Sequence, residues 1–412
     1  MQVTVAAGAA VRDVAPLAQP VVDACSVEIV TDASAFERLE PEWNDAVDRA
    51  GVAHPFLRHE WLRTWWECFG EGRQLHIVIV RAGARIIAIA PLVSEAVSLC
   101  GIPVRQLRLM FNDHSPRADV IVAEPGERPY RALWKALAGT RDRWDVLLLG
   151  QLPRESHTRA MFTRLAGEHG QATGTWQSSD SPYLELAGTW DSYFGSLPGK
   201  FRSNVRNRIS RLQRQGPPAL ESVETQPGVE GALADVFRLE ASGWKLREGT
   251  AILSRPEVQR FYTLFAQRAA ARGWLRLQFL TVGGQRIATS FSLVYGRRLF
   301  LCKTGYDPAF DTCSPFKVLT SFATEQAYQQ GLAEVDFLGD TEPWKLEWTS
   351  AVRSHDWLYV FSNTARARLV YPLKFRVIPT LHRALSTQHA APSTEHPAPS
   401  TQHPAPSAQH RD

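Results

Sequence analysis

The sequence predicts an α/β (α+β layered) fold made twice over, each half a mixed, mostly antiparallel sheet flanked by helices. Three observations carry this. Helical and strand-like periodicities alternate along the 412 residues, and the alternation runs through twice. The segments VRAGARIIAIAPLV (80–93) and VGGQRIATSFSLV (282–294) are strand–turn–strand units with one polarity pattern. Strands joined by turns this short cannot run parallel, which disfavours a doubly wound parallel sheet.

Taken in order, residues 1–24 carry little pattern and read as a loose lead. They have no Lys or Arg before Arg12 and no leucine-rich stretch, so a signal peptide is not expected. Val27–Val30 is a strand. Ser34–Ala50 is helical because Phe36, Leu39, Trp43 and Val47 recur at spacings of three and four. A second helix covers His59–Phe69. Leu75–Val80 and Arg85–Val93 form a hairpin about the turn at 81–84. Strands at Val104–Met110 and Val120–Ala123, a helix at Glu127–Ala138, a strand at Asp145–Leu149 and a helix at Ser156–His169 follow.

The second pass opens with helices at Thr189–Leu197 and Gly199–Gln215, a strand at Leu220–Glu224, and helices at Val229–Arg247 and Pro256–Arg272. Strands Trp274–Val282 and Arg286–Tyr295 meet at Gly283-Gly284-Gln285, a strong hairpin signal. Leu299–Tyr306 is a third strand, Pro315–Gln330 a helix, and Glu334–Leu338 and Asp356–Phe361 are strands. Residues 25–186 and 187–370 are accordingly expected to be two domains, followed by a tail at 371–412. From Ser386 the tail repeats every seven residues and sets His389, His396, His403 and His410 in register. Rich in proline and poor in apolar residues, it is expected to be disordered, a solvated repeat rather than a metal site.

Composition narrows the function. Hydrophobic residues make up 44% and charged residues 21%, an ordinary globular balance. The net charge of +4 is too small to dictate a partner, and DNA is not expected. Five cysteines with no paired spacing imply buried thiols in a reducing cytoplasm, with no disulfide scaffold and no metal. The strongest apolar runs fall far short of the ~18 residues that span a bilayer, so no transmembrane segment is expected. There is no GxxxxGK[ST], no GxGxxG after a strand and no GxSxG elbow, which removes nucleotide hydrolysis, a Rossmann cofactor and a serine hydrolase. His114 and Asp119 look like a His/Asp pair without such a nucleophile.

Three constellations remain. Lys200, Arg202, Arg206, Arg208, Arg211 and Arg214 crowd one helix with no acid among them, while Phe201, Val205, Ile209 and Leu212 form its apolar stripe. Such a helix suits a phosphorylated ligand, because guanidinium groups grip phosphate bidentately. Trp244, beside Lys245, closes the next helix near the same cleft. The second is the strand end Lys303–Tyr306 followed by Ser314, Pro315, Phe316 and Lys317, a helix start whose free amides form an anion seat. The third is Asp336–Trp348, a strand terminus where Asp336 or Glu342 can take a proton and Lys345 can hold a developing oxyanion.

These stretches (199–216, 273–319 and 331–348), with PFLRHEWLRTWWECFG at 55–70 and the pattern His114-Ser115…Asp119, resemble the GNAT-like acyltransferases of the CelD/FemAB-like group. The resemblance covers roughly Val27 to Phe361. It implies tandem GNAT-like domains, with acyl-CoA as a co-substrate rather than a resident cofactor, its pyrophosphate seated at Ser314. The acyl group passes to an amine, less often a hydroxyl, of a small-molecule or glycan-precursor acceptor. On this reading Tyr306 returns a proton to the leaving thiolate. Two alternatives stay open. FemAB-like proteins use aminoacyl-tRNA, for which the arginine helix is suited. Ser314–Lys317 also lacks the glycine-rich loop of ordinary GNAT enzymes, which favours a non-catalytic assembly factor for exopolysaccharide or cellulose synthesis.

Overall fold

Short turns and prolines cut the first half into small elements. In a computed structural model that describes residues 25–140, 143–242, 249 and 251–377, the lead, Trp244 and the repeat tail lie outside the described residues. β1 (Cys25–Val30) leads into α1 (Ala33–Arg38), capped by Asp32, and α2 (Glu40–Arg49). The one helix expected over Ser34–Ala50 is therefore two. Pro41 opens a fresh helix in its first turn, where a missing N–H is harmless. Next come α3 (His59–Phe69), β2 (Gln74–Leu75), β3 (Ile77–Ala82), β4 (Arg85–Ala90), β5 (Leu92–Leu99) and β6 (Ile102–Leu109). The strand expected over Arg85–Val93 breaks at Pro91, which has no amide for a ladder, and β4 and β5 enter different sheets. β7 (Ile121–Val122), α4 (Arg128–Gly139), β8 (Val146–Pro153), α5 (His157–Glu168) and β9 (Ala172–Glu185) close the half.

The second half runs α6 (Trp190–Ser196), α7 (Gly199–Gln213), β10 (Pro218–Val223), α8 (Val229–Glu240) and α9 (Pro256–Ala271). The hairpin β11 (Leu275–Val282) and β12 (Gln285–Tyr295) turns on Gly283 and Gly284, both at positive φ as its tightness requires. β13 (Arg298–Tyr306), α10 (Pro315–Gln329), β14 (Glu334–Asp336), α11 (Pro343–Leu346), β15 (Val352–Phe361) and α12 (Ala365–Pro372) complete the chain, with a wider helical turn at Leu373–Val377.

Two sheets result. One has the order β1-β3-β4-β7, the other β10-β11-β12-β13-β14-β9-β15-β8-β6-β5-β2. Among the described residues only β6 with β8 and β13 with β14 pair in parallel. Each half thus holds one parallel pair, reached from a hairpin through a helix. β9 joins them: residues 172–182 run along β15 and 183–185 along β14. No strand signal marks β9 in the sequence, where ATGTWQSSDSPYLE is polar; pairing on both edges is what holds it extended.

The core crosses the boundary between the halves. Trp61 on α3 meets Phe261 and Phe265 of α9 edge-on at 5.0 and 4.6 Å, and Phe56 meets Phe300 at 5.5 Å. Each such pair contributes about 0.5–1.5 kcal/mol beyond its buried area. α8 crosses β13 at Gly305, where a Cβ would stand 2.4 Å from Glu240 Cα and 2.5 Å from the Leu239 carbonyl oxygen. The obstacle is backbone and cannot swing away. Gly305→Ala is expected to lower stability by about 1–3 kcal/mol through overpacking. Urea unfolding reads this as a lower midpoint at constant m, and an unchanged midpoint would refute the close crossing.

Candidate active site

β13 and β14 lie side by side for three residues only, Arg298–Phe300 against Glu334–Asp336. Beyond Phe300, β13 stays with β12 as far as Tyr306. The chain beyond Asp336 turns the other way, because the Phe337 amide donates to the Pro182 carbonyl at 3.0 Å. Leu338 and Gly339 then take positive φ, and Lys345 Nζ donates to the carbonyls of Leu338 and Asp340 at 2.8 and 2.9 Å. A wedge opens between Leu301–Tyr306 and Phe337–Trp348. Among the described residues no strand covers that edge of β13 past Phe300.

On one face of the wedge stands the start of α10. Ser314 is in the left-handed region (φ 44°, ψ 61°), with its amide on the Asp311 carbonyl at 2.9 Å. α7 lies against this turn. Its buried Phe201, Val205 and Leu212 are the stripe read from the sequence, while Arg208 and Arg211 (3.2 Å) donate to the Thr312 carbonyl. Lys317 pairs with Glu347 at 2.7 Å and lies over the Phe201 ring at 5.2 Å. Phe316 stacks edge-on with Trp344 across the wedge at 4.8 Å. Tyr306 shares this face: its hydroxyl donates to Asp311 at 3.0 Å, and burial and that carboxylate push the phenol up. The structure therefore brings together Tyr306, Ser314, Phe316, Lys317 and Arg208. Arg202 turns back to the Leu197 carbonyl at 3.0 Å, Arg206 lies over Phe194 at 5.7 Å, and Lys200 is exposed.

The opposite face is built by both halves. A bulge in β13 (Ser292 faces Leu301, Phe291 faces Lys303) turns Lys303 away from Tyr306, to 5.8 Å over the Tyr262 ring. Lys303 is therefore not beside Ser314, contrary to its expected place in the anion seat. His114 closes this face, its ring nitrogens 3.4 Å from Tyr262 Oη and 3.4 Å from Arg255 Nη2. Burial, then Lys303 and Arg255, push its imidazole down to about 3.

Two expected roles do not fit. Asp336 is fully buried, and its carboxylate accepts from Arg117, from Arg353 at 2.9 Å and from the Leu338 amide at 3.0 Å. A carboxylate saturated by two guanidinium groups holds no site for a substrate proton, so Asp336 is an anchor rather than a base. Lys345 is 5% exposed and spends its protons on the turn it ties, so it is not aimed at an oxyanion. Glu342 is exposed, as are Asp340 and Glu347 on the same stretch; it accepts from Trp344 Nε1, while Glu347 pairs with Lys317. His114 and Asp119 are not a pair either: Asp119 accepts from Thr158 at 2.5 Å, and burial pushes its carboxyl up to about 6. His114, Tyr262 and Arg255 are the additions, and only their convergence in space marks them; the motif around His114 was the available signal.

Residues 199–346 match the sequence model of the Acetyltransferase (GNAT) domain, the half that contains the wedge. Among solved structures, the chain is similar to FemX at 11% identity and TM-score 0.53, over 76% of this chain and 95% of that one. It is similar also to a protein of unknown function from Bacteroides thetaiotaomicron, at 11% identity and TM-score 0.50 over 82% and 100%. No curated protein matches the chain in sequence. The fold is tandem GNAT-like: the second half matches the domain model, and the first repeats its parallel pair behind a hairpin and a helix. No described helix is long and apolar enough to cross a membrane.

The depressed His114 gives a pH test. In the unfolded chain this imidazole titrates near 6.5, so as pH falls the unfolded state takes up the proton first. The stability it confers is complete above pH 6.5 and is lost between 6.5 and about 3. Buried His59 and His355 and half-buried His54 and His76 are pushed the same way, whereas Asp119, pushed up to about 6, acts oppositely. His114→Gln should therefore flatten the loss of stability between pH 6.5 and 4.5 by about 1 kcal/mol per pH unit. Parallel curves for the two proteins in urea titrations would contradict the buried, neutral His114.

Proposed function

We propose that the protein is a GNAT-type acyltransferase that moves an acyl group from acyl-CoA to an amine, or less often a hydroxyl. The acceptor enters from the face where Lys303, Tyr262, Arg255 and His114 meet. The observation that carries this reading is the parting of β13 from β14 beside the start of α10. There an anionic carrier meets the Phe316 amide, the one amide of the first turn not turned onto Asp311 or Ser314, with the positive end of the helix dipole and the cations of α7 beside it. Backbone amides along the uncovered edge of β13 can pair with an extended ligand and polarise its thioester carbonyl.

The step is a direct transfer. The acceptor nitrogen attacks the thioester carbon, a C–N bond forms and the C–S bond breaks. The nitrogen's proton passes to Glu342, directly or through water, and Tyr306 protonates the departing thiolate. An acyl-cysteine is disfavoured, because burial pushes the Cys302 thiol up to about 12 and leaves little thiolate. Lys303 and Arg255 favour an acceptor that carries an anion, such as a glycan precursor of the cell envelope.

Calorimetry with acetyl-CoA tests the donor. Micromolar to millimolar binding is expected, weakened at least tenfold by Arg208→Gln with Lys317→Gln, the two cations at the Ser314 turn. No heat and no thermal shift at millimolar donor would replace this reading with the assembly factor. The row of cations on α7 also supports an aminoacyl-tRNA donor. That reading requires tRNA affinity that falls steeply with salt.

A further inference from the structure

The chain following the last strand presents a second surface, remote in composition from the wedge. From Trp357 to Thr394 the sequence holds no Asp or Glu, against Arg366, Arg368, Lys374, Arg376 and Arg383. The described part of this stretch, α12 and Leu373–Val377, is fastened to the sheet by its inner side. Ala367 and Val370 are buried, and Phe375 covers Gly174 of β9, where a Cβ would come within 2.4 Å of the ring. What faces outward is apolar and basic together. Leu369 is 54% exposed and Val377 44%, beside exposed Arg366 and Arg368. Trp176 on β9 is 47% exposed, with Lys374 Nζ 5.2 Å above its ring. Arg366 reaches Asp145 only at 3.9 Å, and that carboxylate, itself 1% exposed, accepts from Arg105 and Thr364.

We propose that this face lies against an anionic lipid bilayer. Leu369, Val377 and Trp176 enter the headgroup boundary, while the surrounding guanidinium and ammonium groups meet lipid phosphates. Charge complementarity selects this occupant: a protein partner of mixed charge leaves the cations unmatched, and a nucleic acid offers no place for three exposed apolar side chains. Leu369 stands among Arg366 and Arg368 on the outer side of α12, whose inner side is fixed to the folded body by Ala367 and Val370, so an apolar side chain and two guanidinium groups reach a headgroup layer together. Lysine beside an exposed tryptophan suits the same depth, since both have an apolar body and a polar end.

The test is co-sedimentation of the full chain with vesicles. Vesicles of phosphatidylcholine with one third phosphatidylglycerol should retain the protein at 50 mM salt and release most of it at 500 mM; pure phosphatidylcholine should not retain it. Arg366→Gln with Arg368→Gln should lower the partition coefficient roughly 25-fold, about fivefold for each cation. Leu369→Asp should do the same at unchanged net positive surface elsewhere, and both variants should keep the wild-type melting temperature within about 2 °C, as exposed positions do. Equal retention on both vesicles, retention unchanged in either variant, or heparin binding that Leu369→Asp leaves intact while vesicles are not bound, would each overturn the proposal. Unaltered acetyl-CoA binding in these variants is expected throughout.

Discussion

The buried carboxylate of Asp336 decides where the sheet opens. It ends β14 between two guanidinium groups, Arg117 from the first half and Arg353 from β15, with Glu334 and His355 joined to the same arginines. A carboxylate removed from water is tolerable only when paired, and removing one partner of such a pair costs about 3–5 kcal/mol. β14 is therefore held toward β9 and β15. β13 is held toward β12 by its own hairpin ladder, and the two strands, parallel for three residues, have to part. The wedge is the geometric remainder of two separate fastenings.

Because the fastening uses residues from both halves, the site is shared as well. One face belongs to the second half alone: α7, α10 and the end of β13. The other needs the loop after β6: its His114 meets Tyr262, whose ring lies under Lys303, and its Arg117 reaches Asp336 and His355. A through-sheet gap has a cationic helix start on one side and a polar chamber on the other, and on the proposed function it separates carrier from acceptor. The first half has its own parallel pair, β6 with β8, also three residues long, Gln106–Arg108 against Val146–Leu148. Past it the Ala118 amide donates to the Gln151 carbonyl at 3.1 Å, so the loop after β6 that carries His114 and Arg117 returns to β8 while building a wall of the wedge in the second half.

Much of this was legible in the sequence, for definite reasons. The hairpin of β11 and β12 follows from Gly283-Gly284, and α7 from the stripe Phe201, Val205, Ile209 and Leu212, because these signals are local. β9 was illegible because its extension comes from two neighbours rather than from its own residues. Asp336 and Lys345 were misread for a related reason: in sequence a charged residue at a strand end suggests chemistry, yet whether it is spent on Arg117 or on the Leu338 carbonyl is decided by residues far along the chain. His114 stood in a noticed motif, but its partner is Tyr262, 148 residues away, and not nearby Asp119.

The missing glycine before α10 has an answer in the same basic helix. Ser314 holds a left-handed backbone that costs an L-residue about 1–2 kcal/mol and that glycine would adopt freely. The turn is secured from outside: Arg208 and Arg211 both donate to the Thr312 carbonyl, and Asp311 accepts from Ser314 and Tyr306 together. Charge-assisted donors to one carbonyl contribute about 1.5–3 kcal/mol each where they are shielded, and less at this exposed edge, which is still of the size required to offset the strain. Two of the five cations on α7 thus shape the turn before α10, while Arg202 is spent on the Leu197 carbonyl and Arg206 lies over Phe194. On the proposed function, a turn built on serine in place of glycine is held open for an anion by the arginine helix beside it, and the two departures from an ordinary glycine-rich loop are physically one.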